Sequence, residues 1–166
     1  MENFDYQSAS EIVIFGALGD LSRRKLLPAL YQLDLAGLLN PESRIVGVAR
    51  HEQSLEVFEA FVMENLTSFV KEGLDQATIE RFKARLVYQQ LDFKEIDSYK
   101  NLADTLSGGH DTRVYYFSTP PAIYGDIGSG LNAADLITAK DRVVMEKPIG
   151  HCLESSKVIN DHVSKY

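Results

Sequence analysis

Along this chain, short apolar β-branched runs alternate with longer stretches in which apolar residues recur every three or four positions. The first run, Ile12-Val13-Ile14-Phe15, stops at Gly16. Four more runs read as strands, at residues 44–49, 86–91, 113–117 and 142–146. Between the first two, residues 20–35 place Leu26, Leu27, Leu30, Tyr31 and Leu35 at helical spacing, with Gly37 as a stop and Pro41 beyond it. Pro28 has no N–H for the Arg24 carbonyl, so a kink or a late helix start is expected there. Ser54 caps a longer helix with a stripe of Leu55, Phe58, Phe61, Val62, Leu66, Phe69 and Val70. Shorter helices are predicted over 78–84 and 98–106, and a final one over 153–166. Residues 123–136 also read as helical, although Gly125, Gly128 and Gly130 each cost roughly 1 kcal/mol against alanine.

Five apolar strands separated by helices predict a parallel sheet covered on both faces. Right-handed crossovers then give an α/β, doubly wound, Rossmann-type fold with strand order 3-2-1-4-5. The fifth strand is an edge in that order, with exposed strand or apolar surface and a risk of association. No repeat, low-complexity segment or linker interrupts the pattern, so residues 1–166 are expected to form one domain.

Composition narrows the function classes. The chain is 45% hydrophobic and 10% aromatic, which excludes intrinsic disorder. Its longest apolar run, residues 12–18, is far below the roughly 20 residues of a membrane span. A net charge of −7 argues against nucleic-acid binding, which needs a basic face. The first ten residues carry two acids and no apolar stretch, unlike a secretory signal. A single cysteine, Cys152, cannot form an internal disulfide, and a cytoplasmic setting is expected. Cys152 reads as a small apolar residue, not a nucleophile. His51, His110, His151 and His162 have no metal-ligand spacing, and no carboxylate pair or nucleophile elbow is present. A metal site is therefore not expected in this chain.

The candidate chemistry lies at Gly16-Ala17-Leu18-Gly19-Asp20-Leu21-Ser22, between the first strand and the first helix. The spacing is G-x-x-G-x-x-S instead of G-x-G-x-x-G, because Leu18 holds the second glycine's place. Gly16 still permits the tight turn, and Gly19 lets a phosphate come close to the backbone. The helix start then adds unpaired N–H groups and a positive dipole end. The alternative is that these glycines only turn the chain. The second strand ends at Arg50-His51, where a site for unphosphorylated ribose would carry an acid. A guanidinium suits a 2′-phosphate, so the residues favour NADP over NAD. Arg23, Arg24 and Lys25 form a basic triplet that is either a solvated face or a further source of positive field.

The run from Phe15 to Tyr31, FGALGDLSRRKLLPALY, resembles the coenzyme-binding signature of the glucose-6-phosphate dehydrogenase family. Ile45-Val-Gly-Val-Ala-Arg50, Thr119-Pro-Pro121 with Tyr124, and Val144-Met-Glu-Lys-Pro-Ile-Gly150 match it in the same order. The resemblance runs from Glu11 onward. It implies oxidation of glucose 6-phosphate at C1 to 6-phosphogluconolactone, with hydride passing to NADP⁺. By the same resemblance, the stretch from Gly16 to Arg23 holds the coenzyme phosphates and Arg50 meets the 2′-phosphate. Leu91 and Asp92 line the adenosine side, with a turn-forming role the alternative for Asp92. Pro121 and Tyr124 lie near the coenzyme, Tyr124 mainly as packing. Lys147 reaches both coenzyme and sugar, and Glu146 either holds Lys147 or caps locally. Pro148 restricts Lys147 to extended backbone, which fixes its direction. Leu18 departs from the family's usual hydroxyl or lysine, which leaves more of the 2′-phosphate recognition to Arg50.

The resemblance also implies that the sugar-phosphate grip and the general-base histidine lie beyond Tyr166. The 166-residue chain alone is therefore expected to be inactive, with glucose 6-phosphate a substrate of a longer, homo-oligomeric parent. Two alternatives differ in class. A sugar oxidoreductase of the glucose–fructose oxidoreductase type also carries Glu-Lys-Pro after a strand, but usually keeps G-x-G-x-x-G. A stand-alone, non-enzymatic dinucleotide-binding module is the other.

Overall fold

The computed structural model describes residues 8–106, 110 and 112–146. Five strands form one all-parallel sheet: β1 (Ser10–Phe15), β2 (Arg44–Ala49), β3 (Leu86–Gln90), β4 (Thr112–Phe117) and β5 (Arg142–Met145). Their spatial order is β3-β2-β1-β4-β5, the order the alternation predicts. Among the described strands β5 lies at one edge, where Val144 is exposed. The helix predicted over 153–166 lies outside the described residues.

Alternation along each strand divides the core in two, because successive side chains point to opposite faces. Val13 and Phe15 of β1 join Val46, Val48, Tyr115 and Phe117 on one face. That face is covered by α4 (Tyr99–Thr105) and α5 (Tyr124–Ala133). Ile12, Ile14, Ile45 and Leu86 face the other way. They meet α1 (Leu27–Leu35), α2 (Leu55–Phe69) and α3 (Gln76–Ala84). Both faces are thus closed, as apolar strands require.

Local signals explain most boundaries. The Ser54 side chain accepts from Val57 N–H at the start of α2, and the Asp75 carboxylate does the same for Thr78 at α3. The first helix contains a π-helical turn, Ser22–Leu26, immediately before α1. The Leu27 N–H bonds to the Ser22 carbonyl, five residues back, one position before the proline that has no N–H to give. The expected disturbance at Pro28 is therefore a widened turn. In α5 a β-carbon on Gly130 would stand 2.2 Å from the Tyr99 ring. The glycine there weakens the helix locally but lets α4 and α5 pack face to face.

Ionic pairs tie the amino ends of the strands. Glu11 of β1 is fully buried, and its register partners are Arg44 in β2 and Arg113 in β4. Both arginines bond its carboxylate, Arg113 Nε at 2.9 Å. Arg85, just before β3, bonds both carboxylate oxygens of Asp34 at the end of α1. Its Nη1 donates to the carbonyls of Asn40, Pro41 and Ser43.

Candidate functional site

In an all-parallel sheet the carboxyl ends of the strands share one edge, and ligands bind where the chain order reverses. Here that point lies beside β1, which has β2 on one side and β4 on the other. The Gly16 turn sits there. Gly16 and Ala17 N–H both donate to the Val48 carbonyl of β2, at 2.9 and 3.2 Å. The Ser118 N–H, just past β4, donates to the Phe15 carbonyl at 2.9 Å. The turn closes through Gly19 N–H to the Gly16 carbonyl, and the helix begins with Arg23 N–H to the Gly19 carbonyl.

Gly16 has φ +83°, a left-handed conformation that side chains resist. A β-carbon on it would also lie 2.6 Å from the Ser118 carbonyl oxygen and 3.0 Å from Thr119 Cγ2. Backbone and crowding therefore exclude a side chain independently. Ala17 is buried in the core, Leu18 and Leu21 are half-buried, and Leu18 packs against the α1–α3 side.

The hydroxyls of Ser22, Ser118 and Thr119 are buried and bond no partner among the described residues. A buried polar group left unpaired costs about 1–3 kcal/mol, so such groups point to an absent partner. One hydroxyl belongs to the first turns of the helix and two to the loop against Gly16. Together with the first helical N–H groups, which have no intrahelical acceptor, they suit a ligand rich in phosphate oxygens. A dinucleotide therefore fits the residues present.

Arg50 follows β2 directly, two residues beyond the Val48 carbonyl that holds the glycine turn. It is exposed, and its guanidinium makes no hydrogen bond or ion pair among the described residues. Leu91 follows β3, is buried, and donates its N–H to the Ala49 carbonyl at 2.9 Å. Asp92 is exposed, and its carboxylate accepts from Lys94 N–H at 3.1 Å, closing an Asx turn. Its turn-forming role is thus visible in the geometry.

Asp20 and Arg23 occupy each other. The pair is 2.8 Å apart, with Arg24 at 3.8 Å, and the Arg23 hydrogen bond holds the Asp20 carboxyl below its usual range. Arg24 also lies over the Phe69 ring, 5.6 Å from its centre. Pro121 opens a short 3-10 turn, Pro121–Ile123, beyond β4. Tyr124 is buried, with its ring 5.4 Å from that of Phe117, as a packing residue would be. Glu146 is exposed directly after β5; burial first, then its charge and Tyr124, push the Tyr116 phenol up. Lys147, Pro148, His151, Cys152 and His162 lie outside the described residues.

The carboxyl ends of the strands thus gather Gly16, Arg50, Leu91, Asp92, Pro121 and Glu146 at one edge of the sheet. Ser118 is not among the residues that the sequence singles out; its signal is its place at the end of β4, the strand that flanks the reversal. Tyr88 and Gln90 also escape sequence reasoning. The Tyr88 hydroxyl donates to the His51 carbonyl at 2.5 Å and the Gln90 amide to the Arg50 carbonyl at 3.2 Å. The described residues include no group of His, Cys, Asp and Glu that could hold a metal ion. No described helix is long and apolar enough to cross a membrane.

Residues 13–166 match the family model described as glucose-6-phosphate dehydrogenase, NAD binding domain. The chain is 45% identical over 158 residues to glucose-6-phosphate 1-dehydrogenase of Dickeya dadantii, a match covering 95% of this chain and 32% of that protein. The crystal structure of the Mycobacterium avium enzyme superposes with a TM-score of 0.87 at 32% identity, over 95% of this chain and 34% of that one. A glucose-6-phosphate dehydrogenase in complex with its substrate glucose 6-phosphate gives a TM-score of 0.82 at 32% identity, over 96% and 35%. The chain spans about a third of the length of the curated relatives it matches. With the match running from β1 to the end of the sequence, and the same fold in solved relatives, the chain belongs to the glucose-6-phosphate dehydrogenase family, as its NAD-binding domain.

Proposed function

We propose that this chain binds NADP⁺ as the coenzyme domain, residues 1–166, of a glucose-6-phosphate dehydrogenase. The activity is oxidation of glucose 6-phosphate at C1 to 6-phosphogluconolactone in the cytoplasm, by a homo-oligomeric enzyme. The observation that carries the reading is the Gly16 turn, where an excluded side chain, a helix start and the buried hydroxyls of Ser22, Ser118 and Thr119, unpaired among the described residues, converge. Bound NADP⁺ supplies the hydride acceptor.

In this reading the backbone from Gly16 to Ser22 holds the coenzyme pyrophosphate, with Arg23 adding positive field. Arg50 takes the 2′-phosphate through charge-assisted bonds, and its lack of another side-chain partner among the described residues supports that role. Leu91 and Asp92 border the adenosine, the latter by shaping its loop. Pro121 and Tyr124 set the wall on the β4 side. Lys147 is assigned to coenzyme and sugar on the resemblance of its Glu-Lys-Pro segment, with Glu146 beside it either holding Lys147 or capping locally. Taking the proton from the C1 hydroxyl needs a positioned base. None of the four histidines of this chain matches the family's base, so that step is assigned outside these 166 residues.

Titrating the purified chain with NADP⁺ and NAD⁺ by calorimetry tests the proposal. Saturable binding with NADP⁺ the tighter ligand is expected, without NADPH formation when glucose 6-phosphate is added. Failure to bind either dinucleotide would overturn the coenzyme role. NADPH production by the chain alone would overturn the placement of the base.

A further inference from the structure

An arginine that must tell a phosphate from a hydroxyl needs a fixed point of attachment. Its side chain has several rotatable bonds, and any drift of its backbone adds to that freedom. Arg50 stands one residue past the end of β2, where the ladder to β3 has just stopped at the Ala49–Gln90 pair. β3 is the outer strand of the described sheet, and among the described residues no further strand supports this segment from beyond. Support comes from two side chains of β3. Gln90 donates through Nε2 to the Arg50 carbonyl at 3.2 Å. Tyr88 donates through its hydroxyl to the His51 carbonyl at 2.5 Å.

Residues 88 and 90 are two apart in a strand, so both project from the same face of the sheet. They hold two consecutive carbonyls, at Arg50 and the residue after it. Tyr88 is itself anchored: its ring lies 5.1 Å from that of Phe58 in α2. An ordinary phenol is already protonated at neutral pH and burial shifts this one further up, so the hydroxyl is available as a donor. Neither side chain is needed to complete the strand ladder, which uses backbone groups. Their hydrogen bonds go to the segment that carries Arg50.

We infer that Tyr88 and Gln90 are positioning residues that set selectivity for the coenzyme 2′-phosphate by fixing the backbone of Arg50. This rests on the assignment of Arg50 to that phosphate. Each side chain removes a conformational degree of freedom from the loop before the ligand arrives, so that less is lost on binding. Because NAD⁺ presents no 2′-phosphate to Arg50, it gains nothing from this order.

The test uses the 166-residue chain with Tyr88→Phe and Gln90→Met combined, in the native background and on Arg50→Ala. Tyr88→Phe keeps the ring on Phe58 and removes only the hydroxyl. Kd for NADP⁺ and for NAD⁺ is measured by calorimetry, and folding by thermal melting. In the native background the double variant is expected to raise the NADP⁺ Kd about fivefold and leave NAD⁺ within about twofold, as for one or two lost hydrogen bonds. On Arg50→Ala the same pair is expected to change neither, the coupling a positioning role requires. An unchanged NADP⁺ Kd, equal losses for both dinucleotides, or an undiminished effect on Arg50→Ala would each overturn the inference. If Arg50→Ala by itself leaves the NADP⁺/NAD⁺ ratio unchanged, the Arg50 assignment falls, and the inference with it. That result is separate from the other failures.

Discussion

Arg85 grips Asp34 through both carboxylate oxygens, Nε to Oδ2 at 3.0 Å and Nη2 to Oδ1 at 2.9 Å, with both residues buried. The pair locks the end of α1 to the entry of β3. Removing the aspartate leaves a buried guanidinium without its counter-charge, the situation that costs most among ionic substitutions. Asp34→Ala is expected to destabilise the domain by about 3–5 kcal/mol, read from urea unfolding. A loss near that of an ordinary surface pair, below about 1 kcal/mol, would contradict this.

At the opposite edge, Gly16→Ala meets both a left-handed φ and the Ser118 carbonyl 2.6 Å away. The strain alone is on the order of 1–3 kcal/mol, so the variant should unfold at lower urea. It should also lose coenzyme binding, because relief requires the turn to shift. Unchanged NADP⁺ affinity in the Gly16→Ala variant would show that the turn does not hold the phosphates.

Arg50→Ala removes a charge without removing any described side-chain contact. We expect NADP⁺ binding to weaken by about 2–3 kcal/mol, as for a lost charge-assisted partner, with little change for NAD⁺. The proposed preference for NADP⁺ should also narrow as salt rises, since exposed charges are screened. Equal losses for the two coenzymes would place the arginine outside the 2′-phosphate contact.

The cap of α3 gives a dependence on pH. The Thr78 hydroxyl, then the Thr78 N–H, hold the Asp75 carboxyl below its ordinary value. A carboxyl with a lowered pKa in the folded state stabilises above its unfolded pKa and loses that contribution as pH falls through the folded one. The stability advantage of the native chain over Asp75→Ala should therefore be full at neutral pH. It should shrink on acidification from about pH 4 downward. Melting curves across that range check it; an advantage that grows on acidification would refute the cap.

The strands and their order are legible directly, because a parallel sheet with both faces covered demands continuous apolar runs. Helix ends are legible where a side chain acts locally, as at Ser54. The sequence pattern starts α3 at Thr78, and the structure moves that start to Gln76, with Asp75 as its cap. The glycine turn is legible, since only Gly16 suits that backbone. Ser118, Tyr88 and Gln90 are not, because their relation to the site arises from pairing between strands far apart in sequence. Glu11 stands just before the apolar run that the sequence marks, and only the register shows its place in β1. Arg44 and Arg113 stand opposite it on both sides.

The amino-end ion pairs have a consequence for how this domain can change. The most buried charge pairs among the described residues, Asp34–Arg85 and Glu11 with Arg44 and Arg113, sit at the rim away from the glycine turn. The other rim holds Arg50 and the buried hydroxyls of Ser22, Ser118 and Thr119, unpaired among the described residues. Endurance and recognition thus reside at opposite ends of the same five strands. Side-chain substitutions such as those at Arg50 can retune the coenzyme at one rim without loosening the fasteners at the other, whereas a change at the strained Gly16 turn alters both properties at once.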